Sequence, residues 1–208
     1  MTCDDKPRAV YWLDNGLYLN ITNRCSNRCW FCFRNFKSGV GGFNLKFAEE
    51  PSEAAVKAEL EQASRLRRWS EVVFCGFGEP TARLDVLLDV ARLIKQRYPQ
   101  IPIRLDTNGH GYLLNQGRDV VRKLKAAGVT KVSVSLNGHD EKTYSENCRP
   151  TFDGAFQAVL EFIRRAKAEM EVEVSAVRMP EVDVQKVRAI AESMDVQFRI
   201  REYTPCFW

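Results

Sequence analysis

The sequence predicts an α/β fold: a parallel sheet wound with helices as an open or partial (β/α)6 barrel of the kind that carries its active site on one rim. Three observations predict it. Short β-branched and aromatic runs alternate with amphipathic helical stripes from start to finish. About six such units occur, and strict alternation implies parallel strands joined by crossovers. The unusual polar clusters fall directly after strand runs, where parallel β/α folds gather functional groups. Six units in 208 residues fall short of the roughly 250 residues typical of eight. A flat doubly wound sheet gives the same string, so the pattern alone leaves both arrangements open. No repeat, low-complexity tract or linker interrupts it, and residues 1–208 are expected to form one domain.

The first strand is expected at residues 17–21, Leu17-Tyr18-Leu19-Asn20-Ile21. Residues 33–50 are rich in Gly, Asn, Lys and Phe and read as a loop. A helix starts near Pro51-Ser52-Glu53, with Val56, Leu60 and Ala63 on one face. The second strand, 71–75, is stopped by Gly76, and Leu84, Leu87, Leu88, Ala91 and Ile94 then recur at helical spacing. The third strand, 102–105, ends before Asn108-Gly109. Val120, Val121, Leu124 and Ala127 form the next stripe, closed by Gly128. The fourth strand, 131–136, is ended by Asn137-Gly138. Phe156, Val159, Leu160 and Ile163 carry a helix into the fifth strand, 171–177. Val184, Val187, Ile190 and Met194 carry another into the sixth, 196–200.

Composition narrows the class. Hydrophobic residues make up 45% and charged residues 28%, ordinary for a soluble globular chain. No run of 18 apolar residues suggests a membrane span. The acidic start, Met1-Thr2-Cys3-Asp4-Asp5, lacks the basic flank and apolar stretch of a signal peptide, so the expected address is the cytoplasm. A net charge of +4 is too mild for a nucleic-acid signature. The densest basic run, Arg65-Leu66-Arg67-Arg68, sits where cations complement a helix end.

Seven cysteines in such a compartment are not expected to form disulfides. Three crowd into Cys25-Ser26-Asn27-Arg28-Cys29-Trp30-Phe31-Cys32, spaced C-x3-C-x2-C. Structural zinc and ferredoxin-type clusters both want four ligands, and no fourth partner accompanies these three. A three-thiolate cubane leaves one iron open to a chelating ligand. Zinc completed by a distant Cys or His is the alternative. Cys75 and Cys148 read as inert thiols. Cys206-Phe207-Trp208 reads as a tail folded over the barrel mouth or into an interface.

The triplet, with an aromatic residue just before its last cysteine, resembles the defining motif of the radical S-adenosylmethionine (SAM) superfamily. Gly76-Phe77-Gly78-Glu79-Pro80 resembles that superfamily's glycine- and glutamate-bearing SAM motif, and each motif follows its expected strand. The resemblance covers nearly the whole chain and implies a partial (β/α)6 barrel. It implies a [4Fe–4S] cluster on Cys25, Cys29 and Cys32, whose open iron chelates SAM. One electron then breaks SAM into methionine and a 5′-deoxyadenosyl radical that takes hydrogen from substrate. It also implies a one-electron reducing partner such as flavodoxin or ferredoxin.

By the same resemblance Phe31, Gly76, Phe77, Gly78, Glu79, Asn108, Ser135 and Asn137 are the expected SAM contacts. Glycines admit close backbone approach, a carboxylate suits an ammonium, and Ser135 with Asn137 suits ribose hydroxyls. The candidates for substrate are Asn20, Arg34, Phe43, His110, His139, Arg178, Arg201 and Tyr203. Arg178 and Arg201 offer bidentate pairing to an anion or are surface arginines. No individual catalytic residue is singled out. The fifth-strand segment, Ser175-Ala176-Val177-Arg178-Met179-Pro180, departs from the superfamily's glycine and glutamate pattern, which puts adenine contacts there in doubt.

The whole-chain pattern most resembles the small TatD-linked radical SAM proteins, through residues 17–25, 76–81, 134–138 and 149–154. Stand-alone barrels of this kind include enzymes acting on 7-deazaguanine compounds, so a lyase acting on a base such as queuine is the specific expectation. Activity on a protein, peptide or nucleic acid, and a non-enzymatic iron–sulfur or zinc module, are the other classes.

Overall fold

The structure is a computed structural model and describes residues 6–203. The tail reading for Cys206-Phe207-Trp208 therefore lies outside the described residues. In chain order the elements are β1 (Val10–Leu13), β2 (Gly16–Leu19), β3 (Gly39–Val40), β4 (Phe43–Asn44), α1 (Glu53–Ser64) and β5 (Glu71–Phe74). Then come α2 (Leu84–Arg97), β6 (Ile103–Thr107), α3 (Gly111–Leu114), α4 (Val120–Ala126), β7 (Lys131–Ser135) and α5 (Glu141–Cys148). The chain continues with α6 (Ala155–Lys167), β8 (Glu171–Arg178), α7 (Val184–Ser193) and β9 (Gln197–Glu202). All six expected strands form.

The main sheet runs β1-β2-β5-β6-β7-β8-β9. Every pair from β2 onward is parallel. Spatial order follows chain order without reversal, so there is no topological switch point of the doubly wound kind. The first and last strands of the series do not pair, which leaves the barrel open. This decides between the two arrangements that the sequence left open.

Strand register sorts side chains into two faces. Leu17, Val72 and Ile103 align across β2, β5 and β6, as do Leu105, Val132 and Val172 across β6, β7 and β8. These residues are buried against the helices in the single large core, with Leu87, Ile94, Leu124, Val159 and Ile163. The alternate positions, among them Arg104, Asp106, Ser133, Ser135, Glu173, Ser175, Arg199 and Arg201, line the concave face. A polar inner face and an apolar outer one explain why the strands alternate rather than reading as continuous apolar runs.

Several short elements go beyond the sequence expectation, α3 and a 3-10 turn at Pro80–Arg83 among them. β1 pairs antiparallel with β2 through a tight turn, with Asp14 in the left-handed region at φ 49°. Val10-Tyr11-Trp12-Leu13 followed by Asp14-Asn15 carried that hairpin signal. Residues 33–50 hold a short 3-10 turn at Phe33–Asn35 and the β3–β4 ribbon, not plain loop. α5 begins with a capping box, Asp140 accepting from the Thr143 N–H and Thr143 closing back, a readable start signal.

Candidate active site

A cavity of about 430 Å3 opens at the C-terminal ends of the strands, within the usual size for a small-molecule site. The segments after β2, β5, β6 and β7 contribute to its wall, and β8 and β9 close it from the far side. The four polar clusters singled out in the sequence therefore meet on one rim.

Cys25, Cys29 and Cys32 are all half-buried and unpaired, and all three line the cavity. Their loop is clamped from outside. Arg28 N–H donates to the carbonyls of Cys148 and Arg149 at 2.9 and 3.2 Å, and Trp30 N–H reaches the Asn147 carbonyl at 3.4 Å. The loop thus satisfies the orphan carbonyls at the end of α5. Thr151 N–H donates to the Ser26 carbonyl at 2.9 Å. Arg149 caps α5 in the left-handed region at φ 47°, a strain that the surrounding contacts hold in place.

Among the described residues, no three His, Cys, Asp or Glu side chains gather as ligands of a single metal ion. The donors around Cys25 fit a metal-bound thiolate: the Asn27 N–H and the Asn108 Nδ2 point at its sulfur from 3.5 and 3.8 Å, the pattern of outer-shell bonds to a ligating thiolate. Without metal, burial and the neighbouring Glu79 push the Cys25 thiol up to about 12. The Cys148 thiol beside Cys29, then burial, hold Cys29 high as well, and burial raises Cys32. Such thiols ionise only when something replaces the lost solvation, as bound metal does.

The glycine segment after β5 is shaped first by packing. A Cβ at Gly76 would collide with Asn20, and one at Gly78 with the carbonyls of Thr22 and Arg24. Only glycine lets this segment close against the cysteine loop. Asn20 bolts the glycine segment to the chain after β4: its Nδ2 donates to the Leu45 carbonyl at 2.7 Å, and its Oδ1 accepts from Phe77 N–H at 2.8 Å. Glu79 is buried and accepts from Thr81 N–H and Oγ1, Thr107 Oγ1 and Asn108 N–H. Burial raises its carboxyl, and these donors draw it back.

Across the cavity, Asn137 Oδ1 accepts from the Val177 N–H at 2.8 Å, tying β7 to β8. Arg201 donates to Ser135 Oγ at 3.1 Å. On the floor, burial pushes the carboxyl of Asp106 and the thiol of Cys75 up.

All eight expected SAM contacts, Phe31, Gly76, Phe77, Gly78, Glu79, Asn108, Ser135 and Asn137, line this one cavity with the three cysteines. Of the substrate candidates, Arg34, Arg201 and Tyr203 line it too. Arg34 donates to the carbonyls of Asn23 and Phe77, and Tyr203 packs edge-on to Trp30. The other five do not line it. Asn20 is fully buried in the bolt just described. Phe43 packs on Tyr11 and Trp12, because the β3–β4 ribbon folds back on the hairpin. His110 is fully buried between Ser26 and Tyr144. His139 turns toward Asp140. Arg178 points outward and pairs with Glu202 at 2.9 Å, since the period-2 alternation of β8 puts it on the opposite face from Val177.

Cys75, Asp106, Ser133, Ser175 and Arg199 also line the cavity and were not among the candidates. Their signal was present: polar residues alternating inside strands of a fold whose outer face is apolar. Cys75 in particular is not a thiol lost in the core but part of the floor.

A family model described as the Radical SAM superfamily matches residues 19–194. Among curated proteins, the chain is 31% identical over 134 residues to a GTP 3′,8-cyclase of Paenarthrobacter nicotinovorans, covering 64% of this chain and 35% of that protein. It is 28% identical over 165 residues to the Fe-coproporphyrin III synthase of Methanosarcina barkeri, covering 79% and 35%. The chain thus spans about a third of the length of these relatives. Among solved structures, Streptococcus suis SuiB bound to S-adenosylmethionine superposes with a TM-score of 0.67 at 15% identity, over 93% of this chain and 41% of that one. At that identity the likeness speaks for the fold.

Proposed function

The chain belongs to the radical SAM superfamily, whose enzymes use a [4Fe–4S] cluster and SAM, and from that membership we propose that it generates a radical at this rim and directs it at a small-molecule substrate. Cys25, Cys29 and Cys32 hold the cluster. When bound, the cluster and SAM together supply reductive cleavage to a 5′-deoxyadenosyl radical, chemistry that belongs to the cofactor.

The residues bind, orient and shield. Asn27 and Asn108 direct N–H groups at the Cys25 sulfur. Phe31 and Phe77 offer apolar wall, and Gly76, Gly78 and Glu79 form the edge beside the cysteine loop. Asn137 Nδ2 stays available for a ribose hydroxyl while its Oδ1 holds Val177. Arg34, Arg201 and Tyr203 face the remaining space and are assigned to substrate. The electron comes from a one-electron donor such as flavodoxin or ferredoxin, and the reducing cytoplasm suits that chemistry. Among the described residues no helix is long and apolar enough to cross a membrane.

The single observation that carries this reading is the meeting of all three cysteines and all eight expected SAM contacts in one cavity. Its size, and curated relatives named for GTP and for a porphyrin, favour a small molecule. A 7-deazaguanine base such as queuine, cleaved by a lyase reaction, is the specific candidate and rests on the TatD-linked sequence pattern. The test is 5′-deoxyadenosine formation by anaerobically reconstituted, reduced protein, with and without queuine. Release stimulated by queuine supports both steps. Slow release indifferent to queuine retains the class and discards that substrate. No release from protein with a full, reducible cluster overturns the enzymatic reading.

A further inference from the structure

Arg201 stands apart from the other cations of the barrel's inner face. Arg104 pairs with Glu71 at 3.1 Å and Asp106 at 2.9 Å. Lys131 pairs with Glu171 at 2.8 Å, and Arg199 with Glu173 at 2.7 Å. Among the described residues, no carboxylate lies within ion-pair distance of Arg201. Among the described residues, its one protein hydrogen bond runs from Nη2 to Ser135 Oγ at 3.1 Å, and its Nε–H is buried with no partner. The residue nonetheless lines the cavity, bonded to Ser135 and opposite Val177 on β8, with Asp106, Arg199 and Cys75 acting on its charge. Burial lowers its pKa, against the pull of the Asp106 carboxyl, which is itself paired with Arg104.

A half-buried guanidinium with one neutral acceptor and a buried Nε–H left unpartnered gains from an anion that joins it. Its planar donor edge matches the paired oxygens of a carboxylate or phosphate. We propose that Arg201 recognises an oxyanion, carboxylate or phosphate, on the substrate, so that the enzyme acts on an acidic small molecule. This rests on reading the cavity as a radical SAM active site. A base without an acidic substituent offers Arg201 only a carbonyl oxygen. SAM carries a carboxylate as well, but the glycine edge beside the cysteine loop, where its methionine end is expected, follows β5, whereas Arg201 sits on β9.

The experiment uses anaerobically reconstituted chain with SAM present: the wild type, Arg201→Gln and Arg201→Lys, each checked for iron content. Benzoate and inorganic phosphate are titrated separately, and binding is read as a saturable rise in melting temperature. SAM affinity is measured in parallel. The expected result is saturable stabilisation of the wild type by at least one of the two anions, with its midpoint weakened about tenfold or more in Arg201→Gln. Arg201→Lys should fall between them, and SAM affinity should stay within about twofold throughout. The anion that binds distinguishes carboxylate from phosphate. Equal midpoints in wild type and Arg201→Gln, or no stabilisation by either anion, overturn the proposal. So does SAM affinity about tenfold weaker in an iron-loaded Arg201→Gln, which assigns the guanidinium to SAM. Failure of the wild type to form 5′-deoxyadenosine would instead sink the enzymatic reading and leave the anion result standing.

Discussion

His110 Nε2 lies 3.0 Å from the hydroxyl of Tyr144. The same hydroxyl accepts from Asn27 Nδ2 at 3.2 Å. The Nδ1 of the same ring lies 2.9 Å from Ser26 Oγ. Ser26 also accepts from Asn108 Nδ2 at 2.9 Å. A neutral imidazole thus joins α5, the segment after β6 and the cysteine loop through one buried network.

That network makes folding stability depend on pH. Burial lowers the pKa of His110 from 6.5 to about 4. Between these values the unfolded chain binds the proton that the folded chain refuses, so the contribution is whole above pH 6.5 and is lost as pH falls toward 4. At pH 5 the expected loss is about 2 kcal/mol relative to neutral pH. Urea unfolding of wild type and His110→Gln at pH 7.5 and pH 5 checks it. A variant with the same pH loss as the wild type refutes the assignment.

Removing the tyrosine hydroxyl leaves Nε2 of His110 and Nδ2 of Asn27 without partners in a dry site. Tyr144→Phe should cost about 1–3 kcal/mol at neutral pH. It should also loosen the cysteine loop, read as faster loss of iron to a chelator. Stability and iron retention equal to wild type would mean that the network does not hold the loop.

Gly78→Ala tests the fit between the glycine segment and the cysteine loop. Its methyl group would meet the carbonyls of Thr22 and Arg24, rigid backbone rather than a side chain that can step aside. The expected cost is about 1–3 kcal/mol together with poorer cluster incorporation. Thermal melting and iron analysis report the two effects separately, and a variant that melts and loads like wild type counts against the close approach.

Cysteine replacement separates cluster ligands from neighbours. Cys25→Ser, Cys29→Ser and Cys32→Ser should each lose most reconstituted iron and the visible absorbance of the cluster. Cys75→Ser and Cys148→Ser should retain both, although Cys75 lines the cavity and Cys148 adjoins Cys29. Iron loss from Cys148→Ser equal to that from Cys29→Ser would make Cys148 a ligand.

The sequence by itself determined the α/β class, the order of six strands and the identity of the rim. Each of these is a local matter: β-branched runs, helical stripes such as Leu84, Leu87, Leu88, Ala91 and Ile94, and polar clusters next to Gly or Asn turns. The cysteine spacing and the glycine segment were legible for the same reason, since the chemistry needs those residues close together along the chain. Tertiary structure decided the rest. Sequential strand order, set by how helices cover the sheet, gave an open barrel in place of a doubly wound sheet. Facing was decided there too: Asn20 and His110 stand on the expected rim segments but turn inward, because a buried amide or imidazole takes the hydrogen-bond partners that neighbouring segments provide. Arg178 and Arg201 looked alike as strand-end arginines. Only the register of β8 and β9 sent the first outward to Glu202 and left the second in the cavity with no ion pair among the described residues, because alternate side chains on a strand occupy opposite faces.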